Sequence, residues 1–342
     1  MRSRITMLSL VALLFLFSLT GFAQTSSVNP ARITFTNIDV PGAVATAATG
    51  INDSGAITGT FFDSSGSAHG YLADGTGALV RAIDFPDAAL TEASGINERG
   101  DIVGSYLDAA GFFHGFLLQD GNFSTVDFPG ATASFPLDIN DQGVITGFYQ
   151  DDAFLTHGFT LDQAGFHTLD DPAQASPSTE PMSVNNKGDI LGDFDFDEFG
   201  IFHGAFLFTN GTFVPFNLSQ ATNGIFAAGL NNSGDVAGSF FGDDFVQHGF
   251  ILGQGGFITF DFPGALATAP IQINSSHKTV GVYGDGVTTH SFLLTFDGPA
   301  TTAGPGARLN SAAPAGKRVV CGSVQQALRS GPGSTAGNLV CH

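Results

Sequence analysis

Short apolar runs recur along the chain at a fixed spacing. Between residues 31 and 297, runs rich in Phe, Ile, Val and Leu are cut every few residues by Gly, Pro, Asn and Asp. Runs of this length bounded by turn residues read as β-strands. No stretch shows the 3.6-residue apolar rhythm of an amphipathic helix. Four run types follow one another in constant order. One is typified by "FSTVDF", Phe123 to Phe128, which alternates apolar and polar residues and stops at Pro129-Gly130, where the ladder loses a donor and the chain turns. The next ends in Gly-Ile-Asn, and Asn52-Asp53-Ser54-Gly55 is a tight turn, its Gly suited to positive φ. A third, such as "DIVGSYL", and a fourth, "HGFLL", complete the unit. Gly-bearing turns such as Gln119-Asp120-Gly121-Asn122 lead into the next.

Two markers measure the period. The dipeptide Ile-Asn or a close variant places Asn52, Asn97, Asn140, Asn185, Asn231 and Asn274 at steps of 45, 43, 45, 46 and 43 residues. His-Gly, or His-Ser in the last copy, places His69, His114, His157, His203, His248 and His290 at steps of 45, 43, 46, 45 and 42. A third marker, of the type "VDFPGA", opens each copy, and in the fifth it has drifted to "FNLSQA" at Phe216. Four short strands at a period near 45 match one propeller blade. The expectation is an all-β fold, a six-bladed β-propeller of four-stranded blades. A β-sandwich does not keep so strict a period, and a β-helix has a shorter coil. With 35 Phe and no Trp, Phe is expected to fill the wedge between blades.

The run "FDFPGA…GINDxGxIVGxYxDxxGxxHGFLL" resembles the bacterial extracellular repeat known as the HAF family, after a His-Ala-Phe-type tripeptide. The tripeptide here is His-Gly-Phe at 114, 157 and 248, His-Gly-Tyr at 69 and His-Gly-Ala at 203. The resemblance covers residues 31 to about 297. It implies an exported protein of unassigned biochemical activity and transfers no catalytic residues.

The two ends differ from the repeats. Residues 1–23 read as a signal peptide: Arg2 and Arg4, an apolar run from Met7 to Leu19, and small residues at Gly21 and Ala23 before Gln24. The run is short for a bilayer core of about 30 Å, and no other segment is long and apolar enough to span one. The expected location is therefore extracellular or periplasmic, without a membrane span after signal removal. Residues 298–342 form a Gly-, Ala- and Pro-rich tail that reads as flexible. Its two cysteines, Cys321 and Cys341, are the only ones in the chain and are a disulfide candidate in an oxidising compartment. A Cys-Cys-His metal site there lacks paired-ligand spacing.

Charge narrows the partners. Residues 24–297 hold all 31 acidic side chains and five basic ones, a formal −26, whereas the tail carries +4. So acidic a body repels phosphate backbones, which excludes nucleic acid from the expected partners. It also repels anionic lipid. Six equivalent histidines invite a metal-ring reading, but one His per blade more often orients a turn through a hydrogen bond. Asp193, Asp195 and Asp197 form a weak candidate for calcium. An EF-hand loop started at Asp193 fails, with Glu198 and Gly204 where Gly and Glu are required. Alternating Asp and Phe instead suggests a strand with Phe inward and Asp solvated. The expectation is no cofactor.

No G-x-S-x-G and no P-loop occur, and "GINDSG" is a turn. The leading reading is an exported, monomeric, non-catalytic propeller that binds an extracellular protein or glycan or plays a structural part. Absence of Trp, with four Tyr, weakens the glycan half of it. The alternative is a hydrolase or lyase acting on an extracellular polymer at the axial mouth. Near-uniform copies favour the first, and the question of enzyme activity stays open, leaning to none.

Overall fold

The apolar runs become strands because alternate side chains can be buried between neighbouring sheets, while Gly and Asn supply the tight reversals. The computed structural model describes residues 33–172, 178–195, 203–218, 220–221, 223–253, 256–296 and 339–341, and every regular element among them is a β-strand. After β1 (Ile33–Asn37), the strands β2 (Ala45–Ile51), β3 (Ile57–Phe62), β4 (Ala68–Ala73) and β5 (Leu79–Ile83) form an antiparallel sheet in sequence order. So do β6 (Leu90–Ile96), β7 (Ile102–Leu107), β8 (Phe113–Gln119) and β9 (Asn122–Thr125). The next set is β10 (Ala133–Ile139), β11 (Ile145–Gln150), β12 (Thr156–Asp162) and β13 (Gly165–Thr168). It is followed by β14 (Thr179–Val184), β15 (Ile190–Asp195), β16 (His203–Thr209) and β17 (Thr212–Leu218). The last two sets are β18 (Ile225–Leu230), β19 (Val236–Phe241), β20 (Gln247–Gly253) and β21 (Gly256–Phe260), then β22 (Ala267–Ile273), β23 (Thr279–Gly284) and β24 (Thr289–Phe296). In the tail, β25 (Leu339–Cys341) lies parallel to the outer edge of β17. The remaining tail residues, Cys321 among them, lie outside the described residues.

The fold is an all-β propeller. The first strand of each set lies at the centre, and β2 touches both β6 and β22. Hydrogen bonding joins the strands into five sheets instead of separate four-stranded units throughout. The reason is local: one parallel bridge, Gln247 to Ala267, links β20 to β22 and merges the last two sets into an eight-stranded sheet.

The phase of the repeat also differs from the sequence reading. The "FSTVDF" run does not open a sheet; its strand β9 pairs only with β8 and is the outer edge of the preceding sheet. Each sheet therefore begins with the Gly-Ile-Asn strand. The offset leaves β1 without a preceding sheet, and it completes the last one by pairing antiparallel with β24, from Ile33 opposite Phe296 to Asn37 opposite Phe292.

The core lies between successive sheets. One aromatic on the third strand of each set is fully buried: Tyr71, Phe116, Phe159, Phe206, Phe250 and Phe292. Each sits opposite a glycine on the second strand, as in Gly104 opposite Phe116, which leaves room for the ring.

Candidate functional site

Each central strand carries a register shift just before its Asn, as between Pro136 and Asp138 and between Pro270 and Gln272. A bulge re-aims the residue that follows it. That residue is Gly50, Gly95, Asp138, Ser183, Gly229 or Gln272 in the successive copies. Asp138 is buried there and accepts hydrogen bonds from Ser183 Oγ at 2.7 Å, Val184 N at 2.9 Å, Ile139 N at 2.9 Å and Gln272 Nε2 at 3.2 Å. Gln272 also reaches Ser183 Oγ at 3.1 Å, so three different central strands are tied together inside the ring. The glycines make room for this knot: a Cβ on Gly95 would stand 2.7 Å from Asp138 Cα, and one on Gly229 2.7 Å from Gln272 Oε1. Burial pushes the Asp138 carboxyl up to about 6, against the lowering effect of the hydrogen bonds from Val184 and Ser183.

Next to this knot the six repeat asparagines line a mouth with about 400 Å³ of space, open to solvent. Their side chains form a chain around the axis. Asn52 Nδ2 donates to Asn97 O at 3.0 Å, Asn97 to Asn140 O at 3.2 Å, and Asn140 to Asn185 O at 3.0 Å. Asn231 donates to Asn274 O at 3.2 Å, and Asn274 to Asn52 O at 3.0 Å, which joins the last sheet to the first. Asn185 turns instead to Asp189 at 3.1 Å. Each Oδ1 accepts from the N–H groups of its own turn, as Asn140 does from Gln142 N and Val144 N.

The residue after each Asn adds an outer ring. Asp141 Oδ1 accepts from Glu98 N at 2.9 Å, and Asp53 Oδ1 accepts from Ser275 N at 2.6 Å. Asp53, Glu98 and Asp141 occupy one side of the mouth, and Asn186 and Asn232 the other.

The repeat histidines lie away from the mouth. His114 Nδ1 lies 2.7 Å from Asp127, His157 Nδ1 2.7 Å from Asp170, His248 Nδ1 2.9 Å from Asp261 and His69 Nδ1 2.8 Å from Asp84. His290 Nδ1 lies 2.6 Å from Asp39, which closes the ring a second time. The partner comes from the Asp-Phe-Pro marker. Its second oxygen takes the next backbone N–H, as Asp170 does from Gly158 at 3.1 Å. On the other side, Nε2 faces an aspartate of the hairpin turn at 3.2–3.6 Å: Asp63, Asp108, Asp151, Asp244 or Asp285. The ring also stacks on an aromatic of the second strand, as His157 does on Tyr149.

Burial alone would lower His114, His157 and His290. The two aspartates flanking each outweigh it and hold these imidazoles above the ordinary histidine range. His248 is held up first by its hydrogen bond to Asp261. Backbone N–H donors of the turns, Phe112 for Asp108 and Leu155 for Asp151, lead in holding those carboxyls low.

The fourth copy departs from the pattern. The residue facing the second-strand aromatic is His157 opposite Tyr149 in the third copy, but Gly204 opposite Phe194 in the fourth. His203 falls one position earlier, opposite Asp195. Phe206 lies 21 residues after Asn185, against 19 from Asn140 to Phe159, and the one of these extra residues that falls between His203 and Phe206 displaces the histidine by one position. In the same copy the partner Asp is replaced by Asn217. The His-Gly spelling at 203 therefore stands one register position away from that of the other copies.

Asp193, expected on a solvated face, is buried, and its Oδ1 accepts from Ala227 N at 3.1 Å on the next sheet. Phe194 is buried as expected. The side chain of Asp195, all of Asp197 and the side chains of His203 and Cys341 lie outside the described residues. Among the described residues no cluster of three or more His, Cys, Asp or Glu side chains is arranged to hold a metal, and no helix is long and apolar enough to cross a membrane.

The knot at Asp138, Ser183 and Gln272 was missed in sequence because these residues break the repeat instead of making it. The one signal available was that the position before Ile-Asn or its variant is Gly in three copies and polar in the other three.

No protein-family model and no curated relative matches the chain. Solved structures do. TolB from Acinetobacter baumannii aligns with a TM-score of 0.50 at 13% identity, over 71% of this chain and 64% of TolB. A streptogramin B lyase aligns at 0.44 and 12% identity over 79% of this chain and all of its own. The β-propeller domain of the Trilobed protease from Pyrococcus furiosus aligns at 0.47 and 10%, over 75% and 82%. At such identity the likeness to TolB bears on the fold alone, and it agrees with the all-β propeller built above.

Proposed function

We propose that this chain is an exported, non-catalytic β-propeller of six blades that serves as an extracellular binding or structural module. The six blades are the six four-strand sets, the last completed by β1. The signal peptide at 1–23, kinship with the HAF repeat, a monomeric state and the absence of a required metal belong to the same proposal.

One observation carries it: among the described residues, the polar side chains that recur from copy to copy are engaged in holding the ring together. The Asn side chains bond neighbouring turns, the His–Asp pairs fasten each third strand to the connection that leads into the next blade, and Asp138 is enclosed by four donors. A nucleophile or general base needs a lone pair directed at a substrate, and these have theirs directed at the protein. What varies from copy to copy is the turns, and loops on a rigid scaffold are where recognition resides.

The second reading, a polymer hydrolase or lyase, is favoured by one feature, the three carboxylates Asp53, Glu98 and Asp141 at the axial mouth. The mature protein tested on arrays of exported proteins and glycans, and in parallel for release of reducing ends or unsaturated products from polysaccharides, separates the two. Specific retention without turnover is expected. Turnover abolished by Glu98→Gln with Asp141→Asn would overturn the proposal in favour of the enzyme.

A further inference from the structure

The two faces of the ring differ in chemistry. Asn turns lie on one face, with Arg99, Lys187 and Lys278 in or beside them. The other face is made by the turns between second and third strands and by the Asp-Phe-Pro connections. Among the described residues those turns and connections contain no Lys or Arg, and Arg81 is on the outer strand β5. They do contain exposed Asp87, Asp152 and Asp243.

Large apolar side chains stand exposed among these carboxylates. Phe154 is 74% exposed, Phe245 67% and Val287 90%, and Phe112, Leu155 and Leu266 are exposed beside them. The two phenylalanines are the informative ones. In the first and second copies the equivalent turn position is Gly66 at φ 85° and Gly111 at φ 87°. Phe154 and Phe245 adopt the same left-handed backbone at φ 62° and 59°. The turns are equivalent by their hydrogen bonds: Gly111 N donates to Asp108 O, and Phe154 N to Asp151 O. Left-handed backbone is unfavourable for a residue with a Cβ. Glycine serves this turn elsewhere in the same ring. Both phenylalanines therefore stand where folding prefers glycine and where burial offers them nothing.

We infer that this face, through Phe154 and Phe245 with the neighbouring Asp152 and Asp243, is a docking surface for a cationic, apolar peptide segment of another exported protein. Charge complementarity selects the occupant. Exposed aromatic tips bind apolar side chains, the surrounding carboxylates bind Lys or Arg, and anionic partners are repelled. The inference rests on the binding-module reading and names its partner class and face.

The test uses the mature full-length protein and a fluorescent peptide of alternating Lys and Leu, with a Glu-Leu peptide as control, read by anisotropy at physiological salt. The Lys-Leu peptide is expected to bind and the Glu-Leu peptide not to. The double variant Phe154→Gly with Phe245→Gly is expected to weaken binding at least tenfold without lowering the melting temperature, because glycine suits both turns. Asp152→Asn with Asp243→Asn should weaken it as well. Equal binding by wild type and the glycine variant would overturn the inference, since bulk charge would then suffice. So would a glycine-sensitive dimer in sedimentation, which would make a second copy the occupant, or tighter peptide binding once residues 298–342 are removed, which would make it the tail. A protein or glycan captured equally by the glycine variant would sink this face and leave the binding-module reading standing.

Discussion

At the scale of single residues, buried polar groups decide where the axis closes. Asp138 is the sharpest case, because its carboxylate is enclosed by donors from three central strands. Replacement by Asn would turn an amide N–H₂ toward at least one of those donors. A buried donor without an acceptor costs about 1–3 kcal/mol, so Asp138→Asn is expected to destabilise the protein by that amount at pH 7, read from denaturant unfolding. The pH dependence gives an independent check. The folded carboxyl titrates near 6 against 3.8 for the ordinary group, so between these values the native state holds more proton than the unfolded one. Stability from this residue is thus fully present below about 4 and lost as pH rises through about 6. The Asn variant should show a flatter dependence across that window, and an unchanged slope would show that Asp138 titrates normally. Nothing in the sequence marked this residue beyond its breaking a glycine position.

At the scale of the element, the Asp-Phe-Pro marker works as a staple between blades. Asp127 grips His114 of the sheet before it, while Phe128 stacks on Tyr149 of the sheet after it at 3.8 Å. Asp84 and Phe85 do the same with His69 and Tyr106, and Asp261 and Phe262 with His248 and Tyr283. The backbone N–H of each Phe is held by a hydroxyl six residues on, as Phe128 N is by Ser134 Oγ at 3.0 Å. Phe128→Ala and Phe262→Ala should each cost about 3 kcal/mol, the low end for a core Phe because both are only half-buried. Wild-type unfolding midpoints in both would disprove the staple. The period, strand count per copy and inward Phe were legible in the sequence, since turn residues and apolar alternation are local properties. The phase was not, because a repeat read as a string has no natural first strand; pairing of β9 with β8 alone settles it. Nor was the register of the fourth copy legible, where His203 keeps the spelling but lies one position earlier.

At the scale of the whole molecule, the same contacts set the response to pH and the closure of the ring. His114, His157, His248 and His290 are held above the ordinary value of 6.5, so their contribution is full below about 6.5 and declines as pH rises through the raised values. Their turn partners Asp108, Asp151 and Asp285 are held below 3.8, so that contribution is full above about 4 and declines as pH falls. The melting temperature should therefore be highest between about 4 and 6.5 and lower at 8; a maximum above 7 would contradict the cradles. Closure depends on the first strand. Five residues of β1 pair with β24, Phe35 packs edge-on against Phe262 and Phe292, and Asp39 holds His290 and the Ser291 N–H. Removing residues 24–39 takes all of this away at once and leaves β24 as an open edge. In a ring each blade has two neighbours, so the loss is shared by the first and last blades through the Asn274–Asn52 and Ser275–Asp53 bonds. The truncated protein is expected to melt in a single transition lowered by roughly 10 °C or more, with Asp39→Asn alone giving a smaller shift in the same direction. An unchanged melting temperature would refute closure by β1, and two separate transitions would show that the blades unfold as an open array instead of a ring.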